Sequence, residues 1–364
     1  MILFFLSLGF ISSVFLNGYL YEFFSKRKLF DPINTRSSHN EKATRSGGAA
    51  IFLTLCFCYG IGRGFLDLDI NLFSLIACCF VALIGLFDDL FDVYYVEKFA
   101  LQIFAGIILI QSDVYINNFH GIFGIYEVSE LTAYIISLFV FLVITNSLNL
   151  IDGIDGLAGF ISLKFFISIA LIIYFSDPNL YSFAVNKNSM LSFSVTLVGA
   201  LVGFLIFNFY TKKKVFLGDM GSLMIGCIIT YFIFSVLHSN NGIITDNWIN
   251  RSVICVLLLI YPLSDTLRVY LLRARSGMSP FLPDRRHLHH KLIDNGYSHV
   301  KASITIALFS ISVLIFGFGV SLIISQIDFS SILFEGTNLI VTISIILIYM
   351  IFLYYKLFES KVSK

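Results

Sequence analysis

Apolar residues run along this chain in blocks too long for one face of a surface helix, and polar residues gather in the gaps. A helix rises about 1.5 Å per residue, so roughly 20 apolar residues cross the hydrocarbon of a bilayer. Measured with that ruler, the chain offers eleven spans, at approximately 1–24, 47–64, 70–88, 98–113, 130–147, 155–175, 190–209, 218–237, 251–271, 302–325 and 337–358, the fourth being short. The pattern predicts an all-α, polytopic integral membrane protein of about 11 transmembrane helices. The first run has no basic segment before it and no small-residue cleavage site after it, so it reads as a retained span. One outer gap, 114–128 (VYINNFHGIFGIYEV), alternates in the manner of a small hairpin.

Composition agrees with the pattern. The 364 residues are 57% hydrophobic, with 40 Phe, and only 13% charged, about half the share of a soluble domain. A net charge of +1 gives no reason to expect nucleic acid or an acidic partner, so the position of each charge matters more than the sum. Basic residues collect in alternate gaps: Lys26 to Arg45, Lys98, Lys212 to Lys214, Arg273 to Lys301, and the tail. The other gaps hold only Arg63, Lys187 and Arg251. The positive-inside rule then predicts an outward N-terminus and a cytoplasmic C-terminus. All six cysteines fall in apolar runs and read as buried thiols, with no disulfide or zinc framework. No repeat or linker is visible, so 1–364 reads as one membrane domain. Its cytoplasmic loops lie at about 25–46, 88–98, 146–156, 210–219 and 272–300.

Every chemically loaded stretch falls in one of those loops. NSLNLIDGIDGLAG supplies Asn146, Asn149, Asp152 and Asp155, whose threefold spacing lets each pair share a face, among glycines that let a ligand approach the backbone. Hard amide and carboxylate oxygens of this kind suit Mg²⁺ held jointly with substrate phosphates. GLFDDLFD ends the third span with Asp88, Asp89 and Asp92; Asp88 and Asp92 can share a face, and a crowded carboxylate suits a general base. KKKVFLGDMGS places Asp219 where the eighth span begins, as a metal ligand or a helix cap, with amide N–H groups behind it for a phosphate. The first loop carries Arg36, His39 and Arg45, either for a phosphate-bearing ligand or as a simple basic anchor. The ninth loop gathers His287, His289 and His290 with Arg273, Arg275, Arg285 and Arg286, a cationic pocket for a diphosphate. Zinc is the weaker reading of H-x-H-H, because no fourth ligand has matching spacing. Acids, a divalent cation and cationic residues at a lipid interface together suit phosphoryl-group chemistry between a soluble nucleotide donor and a lipid phosphate.

The stretches DDLFD, NSLNLIDGIDGLAG, VFLGDMGS and SPFLPDRRHLHHKL resemble, in order and spacing, the motifs of the polyprenyl-phosphate N-acetylhexosamine-1-phosphate transferases, from about Asp31 to Tyr297. The histidine block is most similar to that of the bacterial undecaprenyl-phosphate GlcNAc-1-phosphate transferases. The resemblance implies Asp88 and Asp89 as the catalytic acidic pair, with Asp219 among the catalytic residues. It further implies Asn149 and Asp219 as ligands of Mg²⁺, with Mn²⁺ as the alternative metal. Asp152, Asp155, Lys98, Arg273, His287, His289 and His290 would bind substrate. The implied partners are a UDP-N-acetylhexosamine, undecaprenyl phosphate and the lipid bilayer, with no nucleic acid, and a homodimer as the assembly to test. The implied place is the bacterial inner membrane, with the active site facing the cytoplasm. Two departures concern the lipid side: Pro32 directly follows Asp31, with Ile33 where the family places proline, and Thr44 precedes Arg45 in place of a proline. A lipid or ion transporter is the competing class, but it calls for a charged through-path and repeat symmetry, and neither is visible.

Overall fold

The computed structural model describes residues 1–31, 42–122, 124–176, 186–238, 250–277, 286–326 and 337–354. Its first six helices are α1 (Ile2–Lys26), α2 (Gly47–Leu66), α3 (Leu72–Phe91), α4 (Tyr95–Ile110), α5 (Glu130–Ile151) and α6 (Leu157–Phe175). The remaining seven are α7 (Lys187–Phe209), α8 (Gly218–Leu237), α9 (Arg251–Leu258), α10 (Ile260–Arg275), α11 (Leu288–Asp294), α12 (His299–Ser325) and α13 (Thr337–Tyr354). Eight of them are long and apolar enough to cross a membrane, nine if α9 and α10 count as one span, among the described residues. The protein is a multi-pass membrane protein.

A helix lies under each of the eleven apolar runs, with three departures from the expected spans, the last being α13, whose apolar stretch Val341–Tyr354 is too short for a full crossing. α4 starts earlier than expected and has only 16 residues, short of a full crossing. The run expected as one span at 251–271 is broken: α9 and α10 meet at 75° around Leu259. The cause is local, since Pro262 in the first turn of α10 has no N–H for the carbonyl of Leu258 and interrupts the ladder there. The break swings α10 sideways and so sets the position of everything it carries.

The helix at the centre is α8, buried from Met220 to Leu237 and packed by α2, α3, α5 and α9. The tightest approach elsewhere is between α1 and α7, where a Cβ added to Gly199 would lie 2.2 Å from the Leu6 carbonyl oxygen. Ser13 donates to the Ala200 carbonyl across the same seam at 2.7 Å. Small residues and a hydroxyl do this work because lipid offers apolar helices no hydrophobic reason to associate. Three cysteines, Cys58, Cys227 and Cys255, are buried; Cys56 and Cys79 instead sit on the outer face of the bundle, so burial holds for only part of the set.

The expected hairpin forms from β1 (Asn118–Ile122) and β2 (Ile125–Glu127), antiparallel with Asn118 opposite Glu127. It packs at the C-terminal end of α8, where the His120 ring lies 3.0 Å from the Leu237 carbonyl oxygen. At the other end of α8, some 30 Å away for 20 residues, the chain before the helix is strapped to the first loop. Thr44 pairs in parallel with Val215, Phe216 donates to the Thr44 carbonyl at 2.8 Å, and Gly48 donates to that of Leu217 at 2.9 Å.

Candidate active site

The acids converge at the start of α8 because α3 touches it without side chains between. A Cβ on Gly85 would lie 2.4 Å from the Asp219 carbonyl oxygen, so only glycine permits this approach. One turn later on α3, Asp88 and Asp89 arrive beside Asp219, 130 positions away in the chain. The two acids then do different things.

Asp89 is nearly buried and grips the first turn of α8. Its Oδ1 accepts from the Asp219 N–H at 3.0 Å and its Oδ2 from the Met220 N–H at 2.9 Å. A carboxylate at a helix N-terminus satisfies amides that the helix itself leaves open and complements its dipole. The amides expected to serve a phosphate are therefore already taken by Asp89. Gly218 makes room for the clasp: it adopts φ +70°, and a Cβ there would lie 2.6 Å from Asp89 Oδ2. The Arg45 guanidinium stands 3.6 Å from Asp89 and 2.5 Å from Asp31, joining the first loop to the clasp.

Asp88 faces the open side. Its Oδ1 accepts from the Val93 N–H at 2.8 Å, and its Oδ2 accepts from the Lys98 ammonium at 2.7 Å. The same ammonium donates to Asp219 Oδ2, so one cation bridges the two acids. Asp219 Oδ1 accepts from the Asn149 amide at 2.8 Å, and that amide also donates to Ser222 Oγ at 3.0 Å. Asp92 does not join Asp88 on a face: it is the exposed, left-handed C-cap of α3 at φ 51°. Asn146 turns aside to α4, donating to Gln102 at 2.7 Å.

Residues 152–156 form the turn between α5 and α6 and carry the next two acids. Burial, then the carboxylates of Asp219, Asp89 and Asp155, push the Asp152 carboxyl well above the usual range, against a hydrogen bond from the Gly218 backbone. Burial raises Asp155 as well, but His299 and Lys214 outweigh it and hold that carboxyl below its ordinary value. Lys214 lies 2.8 Å and His299 Nδ1 3.4 Å from Asp155 Oδ2. Asp155 is thus an ion-paired anchor that fastens the turn to the segment before α8 and to α12.

The histidine block closes the other side of this turn. A Cβ on Gly153 would lie 2.8 Å from His289 Nε2, so glycine admits the ring there. Burial, then the neighbouring His290, push the His289 imidazole well below its ordinary range and keep it neutral. His287 and His289 stack with centroids 5.5 Å apart, and His289 and His290 lie 4.3 Å apart. Arg273 is buried at the end of α10 above Tyr270, while Arg275 is exposed. Arg36, His39 and Arg285 lie outside the described residues.

The structure therefore gathers Asp88, Asp89, Lys98, Asn149, Asp152, Asp219 and the three histidines around one end of α8. Sequence reading did not single out Asp265, buried in α10, which accepts from His287 Nδ1 at 2.9 Å. An acid inside an apolar run was the available signal. It also missed His299, and the roles of Lys214 and Ser222 as partners of Asp155 and Asn149. The side chains that meet closely enough to share a cation here are those of Asp88, Asp219 and Asn149. Among the described residues, no three His, Cys, Asp or Glu side chains form a ready metal cage.

The undecaprenyl-phosphate alpha-N-acetylglucosaminyl 1-phosphate transferases of Escherichia coli and Shigella flexneri are 29% identical to this chain over 308 residues, 81% of this chain and 79% of theirs. The decaprenyl-phosphate N-acetylglucosaminephosphotransferase of Mycolicibacterium smegmatis is 29% identical over 310 residues, 78% of this chain and 72% of its own. The sequence profile of glycosyl transferase family 4 matches residues 71–237, which contain every acid of the cluster and Lys98.

Proposed function

We propose that the protein transfers GlcNAc-1-phosphate from UDP-GlcNAc to undecaprenyl phosphate, with Mg²⁺, at the cytoplasmic face of a bacterial inner membrane. The products are undecaprenyl-diphosphate-GlcNAc and UMP. The observation that carries this reading is the Lys98 ammonium held between Asp88 and Asp219, at the end of apolar helices, in the segment that matches the family. Four carboxyls, Asp88, Asp89, Asp152 and Asp219, face two cations, Lys98 and Arg45, so the pocket favours a further positive ion. The names borne by the relatives supply the substrate class.

The donor set fits Mg²⁺. It is all oxygen, and it offers the one or two carboxylates that Mg²⁺ usually takes before completing its shell with water and substrate phosphate. Asp219 and Asn149 would hold it, Asn149 turning its amide oxygen toward the site. When bound, the metal neutralises phosphate oxygens that would otherwise repel an anionic nucleophile. Asp88 is the acid free to orient the lipid phosphate or take its proton, because Asp89 is committed to α8. An oxygen of the lipid phosphate bonds to the β-phosphorus of UDP-GlcNAc, and the bond from that phosphorus to the bridging oxygen breaks. UMP leaves with the bridging oxygen. Lys98 screens the two acids while the charges redistribute, and the histidine block, stacked against the Asp152 turn, offers donors to the diphosphate.

Purified protein in detergent, given undecaprenyl phosphate, Mg²⁺ and UDP-GlcNAc, is expected to release UMP, with parallel arms for UDP-GalNAc and for chelated metal. Release that needs both lipid and metal supports the reaction, and the ratio between the sugars fixes the donor. Folded protein that releases UMP from neither sugar rejects the proposal.

A further inference from the structure

We propose that Asp265 is a positioning residue that fixes His287 in the Nδ1–H tautomer and aims its Nε2 at the substrate diphosphate. This rests on the reaction proposed above. Asp265 is 1% exposed and lies on α10, beyond the bend at Leu259. Its Oδ2 accepts from His287 Nδ1 at 2.9 Å, and its Oδ1 accepts from the Leu288 N–H at 3.1 Å. Arg268, one turn along α10, donates to the same Oδ1 at 2.8 Å and to the Arg286 carbonyl at 2.5 Å. Residues 286–288 are thereby held by one ion pair through both backbone and side chain.

A carboxylate that already accepts from a guanidinium and an amide stays ionised and acts only as an acceptor. The histidine nitrogen facing it must then carry the proton, which leaves Nε2 as the ring's second functional atom. His287 Nε2 is buried and has no hydrogen-bond partner among the described residues. The ring is stacked on His289, which abuts Gly153 beside Asp152. The line from Asp265 through the two rings therefore ends at the turn that borders the acid cluster. A carboxylate behind a metal-binding or catalytic imidazole sets its orientation and tautomer, and loss of such a partner reduces activity by about 10- to 100-fold at metal sites and by about 10⁴-fold in a Ser-His-Asp triad.

Three variants decide it: Asp265→Asn, His287→Ala and the double. Asp265→Asn keeps the volume but presents an amide N–H₂ that favours the other tautomer. It is expected to lower kcat by at least ~10-fold with a much smaller change in KM for the nucleotide sugar. The double variant is expected to be no slower than His287→Ala, because Asp265 acts through that ring. Multiplying losses in the double, or a kcat for Asp265→Asn within about twofold of wild type, overturn the proposal. A second measurement needs neither turnover nor a folded variant at Asp265: ¹⁵N shifts of histidine-labelled wild type, with His287 assigned by its loss in His287→Ala. The Nδ1–H form supports the proposal and the Nε2–H form overturns it. If the wild type shows the Nδ1–H form yet releases no UMP, the reaction is wrong while the positioning stands.

Discussion

At the scale of single residues, the two neighbouring acids of the third helix carry different loads. Asp89 spends both oxygens on the first turn of α8, whereas Asp88 keeps its bond to Lys98 at the open side. Asp219 is where the Lys98 and Asn149 contacts meet. Asp219→Asn removes its charge and changes little volume. Transfer is expected to fall at least ~10²-fold, the scale set by losing one electrostatic group in an active site, while the protein still inserts and purifies as wild type. Normal UMP release by that variant rejects Asp219 as the centre of the site.

Asp155 gives a pH prediction at the same scale. Its folded carboxyl titrates below its unfolded value, so the unfolded chain binds more protons as the medium acidifies. The stabilisation is complete above the unfolded value, about 3.9, and is lost as pH falls through the lower folded value. Thermal midpoints in detergent are expected to fall less steeply between about pH 5 and pH 3 for Asp155→Asn than for wild type. Identical slopes mean that the Lys214 and His299 contacts add nothing.

At the scale of elements, the site depends on how closely helices approach. Gly85 holds α3 against the start of α8, and everything Asp88 and Asp89 do follows from that contact. Gly85→Leu is expected to cost ~1–3 kcal/mol or more of stability and to remove transfer, because it pushes the acids away from Asp219. Gly60→Leu on α2 is the matched control, since nothing lies within 4 Å of a Cβ there. Equal activity from the two variants would show that the helix contact does not set the acids' position. The bend between α9 and α10 is the second decisive element feature, because it carries Asp265 and Arg268 to the histidine block.

At the scale of the whole molecule, the polar site and the hairpin lie at opposite ends of α8. With basic loops at the site end, the positive-inside rule predicts that the hairpin faces outward. In a background without the six native cysteines, a membrane-impermeant thiol reagent added to intact cells is expected to label Glu127→Cys, on the exposed strand of the hairpin. Arg275→Cys, exposed at the end of α10, should label only after the cells are opened. The reverse pattern inverts the topology and moves the site to the other side of the membrane.

The sequence by itself determined the membrane class, where most of the helices lie and which polar stretches stand out between them. These are local properties: bilayer thickness sets the length of an apolar run, and lipid cannot satisfy a polar side chain, so Asp88, Asn149 and Asp219 stood out where they are. The break at Pro262 was legible in principle from one missing N–H, yet its angle was not. The tertiary structure alone decided which residue meets which. Lys98 bridges Asp88 and an acid 121 positions away, Asp89 clasps the first turn of α8, and Asp265 is the partner of His287. Partnership depends on which helices touch and on which glycine leaves room, and neither is written in the neighbourhood of the residues concerned.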